Sequence, residues 1–385
     1  MAIPFYQHDL GQAELDSVAE VLRGAILTTG DTVARFEAKF AELLGRRHAL
    51  AVTSCTGALH MALLALDIGP GGEVITTPMT FVATATAIMS AGAKPVFVDV
   101  EATTGNLDVN RVEAAITERT KAIMPVHLYG LMCDMRRLRA IADRHGLAII
   151  EDAAHCIEGR RDGVGPGELA EAAAFSFYAT KNLTCGEGGA VVTDDRTLFE
   201  RMKLLRLHGV TKTAIDRYKE GYSHWDMVAM GWKYNMSNIE AALLLPQFDR
   251  IAANLAKRHH LAACYERLLP ATGAEILTSL PDCVHARHVM PVLVPDRDRV
   301  INRLNKAGVG AVVNYRAIHL LTYFVENFGH RVGDFPNAER IGDRILSLPF
   351  FPNLSEAAID EVVGVLGTIL SDLGHIGAVD GRSVA

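Results

Sequence analysis

Ala174-Phe175-Ser176-Phe177-Tyr178-Ala179-Thr180-Lys181-Asn182, followed closely by Gly186-Glu187-Gly188-Gly189-Ala190-Val191-Val192-Thr193, is the stretch around which the chain is organised. The aromatic and small residues read as a buried strand, and Ala190 to Thr193 read as a second one. The turn between them carries Lys181. A lysine is rarely drawn inside a protein unless it is paired or has reacted, and holding a carbonyl compound as an imine is one way to keep it there. Ser176, five residues earlier, lies within reach of a phosphate on the same compound. An exposed lysine on a β-turn is the alternative that this stretch leaves open.

Outward from that turn the chain alternates strands and helices. Strands are predicted at His48–Val52, Glu73–Thr76, Pro95–Asp99, Ala122–Val126 and Ala148–Ile150, with helices at Thr32–Leu44, after Thr53–His60, up to Ala91 and over Met135–His145. Such alternation is the sequence sign of an α/β fold: a mainly parallel sheet with helices on its faces. Ligands of these sheets bind beyond the carboxyl ends of the strands. The residues just after the strands are therefore the candidates. Thr53-Ser54-Cys55-Thr56-Gly57 offers free N–H groups, hydroxyls and the positive end of a helix to a phosphate, or Ser54 and Thr56 simply cap that helix. Ile149-Ile150-Glu151-Asp152-Ala153-Ala154-His155 ends an apolar strand in two acids. Asp152 can hold a protonated ring nitrogen, with His155 near the ring edge, or Asp152 caps a following helix and His155 is an ordinary satisfied polar residue.

Beyond the Lys181 stretch a helix is predicted at Leu198–Arg206, then a polar segment to Met230 read as a mobile loop, then Gly231-Trp232-Lys233-Tyr234-Asn235 leading into helix Asn238–Leu245. The C-terminal part reads as strand Val289–Val294, helix Arg297–Ala307, strand Ala311–Tyr315 and helix Ser355–Leu370, with a small polar tail from Gly374 expected to be disordered. We divide the chain into a large domain, residues 1–250, and a smaller C-terminal α+β domain, residues 251–385, since single cores stop growing at roughly 250–300 residues.

Composition removes several classes of function. Lys and Arg number 38 against 45 Asp and Glu, a net charge of −7, with no basic block of the kind that tracks nucleic acid. The N-terminus has no basic-then-apolar leader and no stretch reads as a membrane span, so a cytoplasmic protein is expected. The six cysteines have no Cys-x-x-Cys spacing, which argues against a zinc site and a disulfide framework alike.

With Lys181, Asp152, Phe81 and the Ser54–Leu59 turn in this order, the chain resembles the pyridoxal-phosphate enzymes of the aspartate-aminotransferase fold, and more narrowly the DegT-type nucleotide-sugar aminotransferases. The resemblance runs from Thr28-Thr29-Gly30 to Ser347-Leu348-Pro349. It implies a large domain with a mainly parallel seven-stranded sheet, and pyridoxal 5'-phosphate bound to Lys181 as an imine. Asp152 would pair with the ring nitrogen, Phe81 would stack on the ring and His155 would lie near its phenolic oxygen. Thr56, Gly57 and Ser176 would hold the phosphate, joined by Asn235 from a neighbouring subunit, so that a homodimer is implied. Many members read Gly-aromatic-Asn-x-Arg where this chain has Gly231-Trp232-Lys233-Tyr234-Asn235, which leaves Lys233 and Asn235 as alternatives for the phosphate contact.

That variant, together with Thr28-Thr29-Gly30 and Tyr315-Arg316-Ala317-Ile318-His319, is similar to the branch that aminates a UDP-linked 4-keto-arabinose. The implied reaction takes an amino group from glutamate, leaving 2-oxoglutarate, and gives it to a keto sugar nucleotide, with Lys181 moving the proton in both halves. A UDP-linked 4-keto sugar is the expected acceptor; a 3-keto dTDP sugar and a keto-inositol are alternatives. Thr29, His208, Lys233, Arg316 and His319 are the candidate residues around it. A pyridoxamine-dependent dehydratase would lack Lys181, and a non-catalytic cofactor-binding regulator would not need it. A nicotinamide site at Gly186-Glu187-Gly188-Gly189 is disfavoured because that run precedes a strand rather than a helix.

Overall fold

The computed structural model describes residues 2–211 and 224–375. Eight strands precede residue 200: β1 (His48–Val52), β2 (Glu73–Thr76), β3 (Lys94–Phe97), β4 (Thr120–Ile123), β5 (Ala148–Asp152), β6 (Arg160–Arg161), β7 (Ala172–Ser176) and β8 (Gly189–Thr193). Seven of them form one sheet in the order β1-β8-β7-β5-β4-β2-β3. The pairs β2–β3, β2–β4, β4–β5 and β5–β7 are parallel, and β8 alone runs antiparallel to its neighbours β1 and β7.

The sheet is covered on both faces, which is why its strands are almost wholly apolar. Alternation along β7 divides the work. Ala172 and Ala174 face a layer built on helix Cys55–Ala65, while Ala173 and Phe175 face helix Asp31–Leu44. Phe40 of that second helix meets Phe175 edge-on at 5.1 Å and Phe177 at 5.4 Å. Helix Asp31–Leu44 stops where expected, at Gly45, whose φ of 65° is left-handed and whose N–H closes the last turn on Ala41. Helix Cys55–Ala65 is buried except at its first turn, where Thr56 is exposed, and at the half-buried Leu64, in keeping with a sequence that has no polar face.

The remaining strands are β9 (Glu275–Ile276), β10 (Cys283–Val284), β11 (Met290–Leu293) and β12 (Ile345–Leu348). β12-β11-β9 form an antiparallel sheet, and β10 pairs with β6. Helices Ile251–Leu268 and Glu356–Asp372 pack with this sheet around a separate core, which also takes Ile3 from the other end of the chain. Ile3 is held there by its N–H on Gly308 at 2.7 Å and by accepting from Gly310 at 2.8 Å.

One expected strand is absent. Over Ala311–Tyr315 there is only an isolated bridge, Val312 to Ser347. The backbone leaves the sheet after that bridge because Asn314 and Tyr315 are held elsewhere, by Tyr129 and His155. Most of the expected loop running to Met230, over residues 212–223, and the tail from 376 onward lie outside the described residues. Among the described residues no helix is long and apolar enough to cross a membrane.

Candidate active site

The β7–β8 connection is tied at several points. Phe177 donates to Gly188 at 2.8 Å, Cys185 donates to Phe177 at 3.0 Å, and Lys181 donates its own N–H to Tyr178 at 2.9 Å. The turn therefore aims Lys181 inward, leaving it 9% exposed. Its Nζ lies 3.4 Å from Nε2 of His288, the one hydrogen-bond partner of that amine among the described residues. Burial pulls the amine down from 10.5 to about 8, against the opposing pull of Cys55 and Asp152. With that value about a tenth of Lys181 is the free amine at pH 7 and half of it near pH 8.

Asp152 ends β5 and is 5% exposed. One carboxylate oxygen accepts from the Thr84 hydroxyl at 2.7 Å; the other accepts from the Ala154 N–H at 3.1 Å, with the Cys55 thiol at 3.8 Å. A carboxylate has about four acceptor positions, so these three donors leave room for one more. No helix begins at Asp152, so it is not a helix cap; its bond to Ala154 closes a local turn instead.

His155 follows. Its Nδ1 accepts from the Tyr129 N–H at 3.2 Å, which places the ring proton on Nε2, facing the Tyr315 hydroxyl at 3.2 Å. Its ring lies over that of His288, centroids 4.5 Å apart at 27°. Burial, with Lys181 close by, holds both imidazoles well below their ordinary pKa. Two neutral imidazoles thus flank the lysine. Tyr129, at a left-handed φ of 57°, donates its hydroxyl to the Asn314 carbonyl and so joins this cluster to the Tyr315 segment. Phe81 lies 5.7 Å from the Tyr315 ring and is 56% exposed, leaving a face free.

The opposite end of the site is the start of helix Cys55–Ala65. Ser54 caps it, accepting from Gly57 at 3.0 Å. Thr56 is exposed, and Gly57 packs so tightly that a Cβ would lie 3.2 Å from the Tyr234 ring. Ser176 pairs across the sheet with Gly189, where a Cβ would come within 2.4 Å of the Ser54 carbonyl carbon. That close approach sets the Ser176 hydroxyl beside the helix start.

The other expected residues fall in three places. Asn235, adjacent to β1 through a bridge to Val52, donates to Thr29 at 2.7 Å and accepts from the Lys233 ammonium. His208 is exposed and its N–H is tied to Trp232 at 2.9 Å, while Leu207 bridges Lys233. Thr29, Lys233, Asn235 and His208 therefore share one rim. Arg316 is exposed next to Tyr315. His319 lies apart, fully buried, with its Nε2 on Glu339 at 3.1 Å and its ring against Phe335 at 4.8 Å.

His288, Tyr129, Thr84 and Cys55 are parts of the cluster that sequence reasoning missed. The four-residue spacing of Thr80 and Thr84 on a helix start was a usable signal, since their hydroxyls meet at 2.8 Å. His288 had none: it arrives from 107 residues away.

This donor set fits pyridoxal phosphate. A buried, easily neutralised amine, a carboxylate with an acceptor position to spare, a free aromatic face, and hydroxyls and N–H groups at a helix start match the aldehyde, ring nitrogen, ring and phosphate in turn. Fold and site together define a pyridoxal-phosphate enzyme of the aspartate-aminotransferase fold. The chain belongs to the DegT/DnrJ/EryC1/StrS aminotransferase family, which it matches over residues 8–367.

It is 38% identical to the spore coat polysaccharide biosynthesis protein SpsC of Bacillus subtilis, over 96% of this chain and 97% of that one. Among solved structures it is similar to the pyridoxamine-phosphate form of a putative sugar aminotransferase, Spr1654, from Streptococcus pneumoniae. There the TM-score is 0.91 at 30% identity, covering 96% of this chain and 100% of that one. PseC of Helicobacter pylori, an aminotransferase involved in the biosynthesis of pseudoaminic acid, gives 0.89 at 29%, covering 97% and 100%.

Proposed function

We propose that the chain transfers an amino group from glutamate to a keto sugar nucleotide, with a UDP-linked 4-keto sugar as its acceptor. The observation that carries the reading is Lys181: a buried amine brought down to about pH 8 in a chain of an aminotransferase family. The sugar is supported by the relatives, two of which are named for sugar or polysaccharide chemistry.

When bound, pyridoxal phosphate supplies an electron sink that makes the amino-bearing carbon acidic. The chain does the rest. Asp152 is oriented by Thr84 and Ala154 to hold a charged ring nitrogen. Thr56, Gly57 and Ser176 hold the phosphate, Phe81 covers the ring, and His155, fixed by Tyr129 and Tyr315, holds the phenolic edge. The Lys181 amine takes the proton from the donor carbon and returns it to the sugar carbon, a role that suits a base whose pKa lies near working pH. Residues 1–250 provide most of this floor, and residues 251–385 complete it with His288 and bring Tyr315 against it.

The rim of Thr29, His208, Lys233 and Asn235 is assigned, with Arg316, to the sugar nucleotide and, through Asn235 or Lys233, to the cofactor phosphate of a second copy. A homodimer is supported by the large apolar side chains left exposed, Phe81 at 56% and Tyr178 at 47% beside the site and Leu15 at 64% and Leu22 at 57% on the first helix.

The test is a panel of acceptors offered with glutamate. Formation of 2-oxoglutarate with a UDP-linked 4-keto pentose or hexose, above the rate with 3-keto dTDP sugars and keto-inositols, is the expected result. A preference for either of the latter two reassigns the acceptor, and uptake of cofactor without turnover of any donor makes the chain a binder.

A further inference from the structure

Far along the sequence from Lys181, helix Ile251–Leu268 packs against the last helix, Glu356–Asp372, with Leu261, Cys264 and Tyr265 in one core with Ile359 and Val362. His260 and Cys264 are four residues apart on the first helix, so they face the same way one turn apart. Glu356 opens the second helix, just after its Ser355 cap. These side chains meet at the edge of the core. His260 Nε2 lies 2.8 Å from the Glu356 carboxylate and 4.0 Å from Cys264 Sγ, and one donor atom from each of the three lies within 4.8 Å of the others. None of them takes part in the amino transfer described above.

The three donors are chemically unlike: an imidazole nitrogen, a sulfur and a carboxylate oxygen. That mixture suits a borderline metal rather than Ca²⁺ or Mg²⁺, which take oxygen alone. Zn²⁺ binds such donors at about 2.0–2.3 Å, which sets neighbouring donors roughly 3.3–3.8 Å apart in a tetrahedron. The pair at 2.8 Å has to open and the pair at 4.0 Å to close by up to about half an ångström, and the Glu356–Cys264 pair, within 4.8 Å, has to close by up to about 1 Å. The His260 and Glu356 side chains can make these moves, being 62% and 60% exposed. Cys264, 6% exposed, is the fixed point. A thiolate and a carboxylate balance the charge of a divalent ion, and the exposed side leaves a fourth position for water.

We propose that His260, Cys264 and Glu356 form a metal site for Zn²⁺, tying the start of the last helix to the helix that leads into the C-terminal sheet. Cys spacing argued against zinc because no Cys-x-x-Cys is present; this site would use the His260-x-x-x-Cys264 pair instead. On binding, the Cys264 S–H bond is replaced by a sulfur–zinc bond and one proton passes to water.

The test uses tag-free protein freed of metal by a chelator, dialysed against micromolar Zn²⁺ and assayed for metal per chain. The wild type is expected to hold one zinc more than His260→Ala and Cys264→Ser, while Cys283→Ser matches the wild type. Co²⁺ in place of Zn²⁺ should add a near-ultraviolet sulfur-to-metal band that Cys264→Ser abolishes and Cys283→Ser keeps. Zinc should also raise the thermal midpoint of the wild type by several degrees and leave His260→Ala unmoved. Equal zinc in the wild type and His260→Ala, no zinc in either, or a cobalt spectrum without the sulfur band would overturn the site. His260 is exposed, so its variant folds and each result is decisive.

Discussion

The floor of the site and its rim are built differently. On the floor, Lys181, Asp152, His155 and His288 are each under a tenth exposed, and every one touches another member or a residue that orients it. On the rim, Lys233 and His208 are exposed, and Asn235 is bonded to Thr29 and Lys233 rather than to the floor. Low dielectric and fixed geometry strengthen and orient charges, which chemistry at one carbon requires. Long exposed side chains adapt to a ligand's outline instead. In the proposed function the reaction belongs to the floor and the choice of sugar to the rim.

Substitutions can break that division. Asp152→Asn should have the largest effect, lowering kcat for glutamate by about a hundredfold or more, as loss of one preorganised charge contact in a buried site does. Steady-state kinetics would check it, and an unchanged kcat would place the ring elsewhere. His288→Asn should lower kcat about tenfold, roughly 1.4 kcal/mol, and leave KM for the sugar nucleotide unchanged. If its neutral imidazole helps keep Lys181 dry, the pH midpoint of cofactor uptake by apoprotein moves upward from about 8 as well. A shift in KM alone would move His288 to the rim.

Asn235→Ala and Lys233→Ala should do the reverse. They should raise KM by about tenfold, the worth of one hydrogen bond to a charged group, with kcat kept. A fall in kcat alone would join them to the floor. His319→Ala should have the smallest kinetic effect. Its buried bond to Glu339 makes it a positioning residue for the Ile318–Leu320 turn, so thermal unfolding should report a loss of about 1–3 kcal/mol. A clear rise in sugar-nucleotide KM would return His319 to the substrate.

The floor was partly legible because its key residues sit where an apolar strand ends. Asp152 ends a run of buried residues and Lys181 lies between two, so the apolar runs marked both as candidates and the family resemblance supplied their expected roles. His288 and Thr84 were illegible for a physical reason: each is fixed by a partner far along the chain, at separations of 107 and 68 residues. The Ala311–Tyr315 segment was misread because its composition suits a strand, whereas two tertiary contacts pull its end away from the sheet. His319 was expected around the sugar nucleotide by its place in a motif. Its burial comes from Phe335 and Glu339, which no local pattern announces.

The central claim is that Lys181 is a buried amine whose pKa is drawn down to about 8 and that it binds the cofactor covalently. The most direct test is the visible absorption of the apoprotein after pyridoxal phosphate is added, followed across pH and then with glutamate, beside Lys181→Ala. Because only the neutral amine reacts, the rate of covalent uptake should rise with pH and level off above about 8, whereas an ordinary lysine would keep climbing past about pH 10. Glutamate should then bleach the lysine-bound band, and Lys181→Ala should never form it. A wild-type protein that takes up no cofactor, or a Lys181→Ala variant with the same band, would contradict the account.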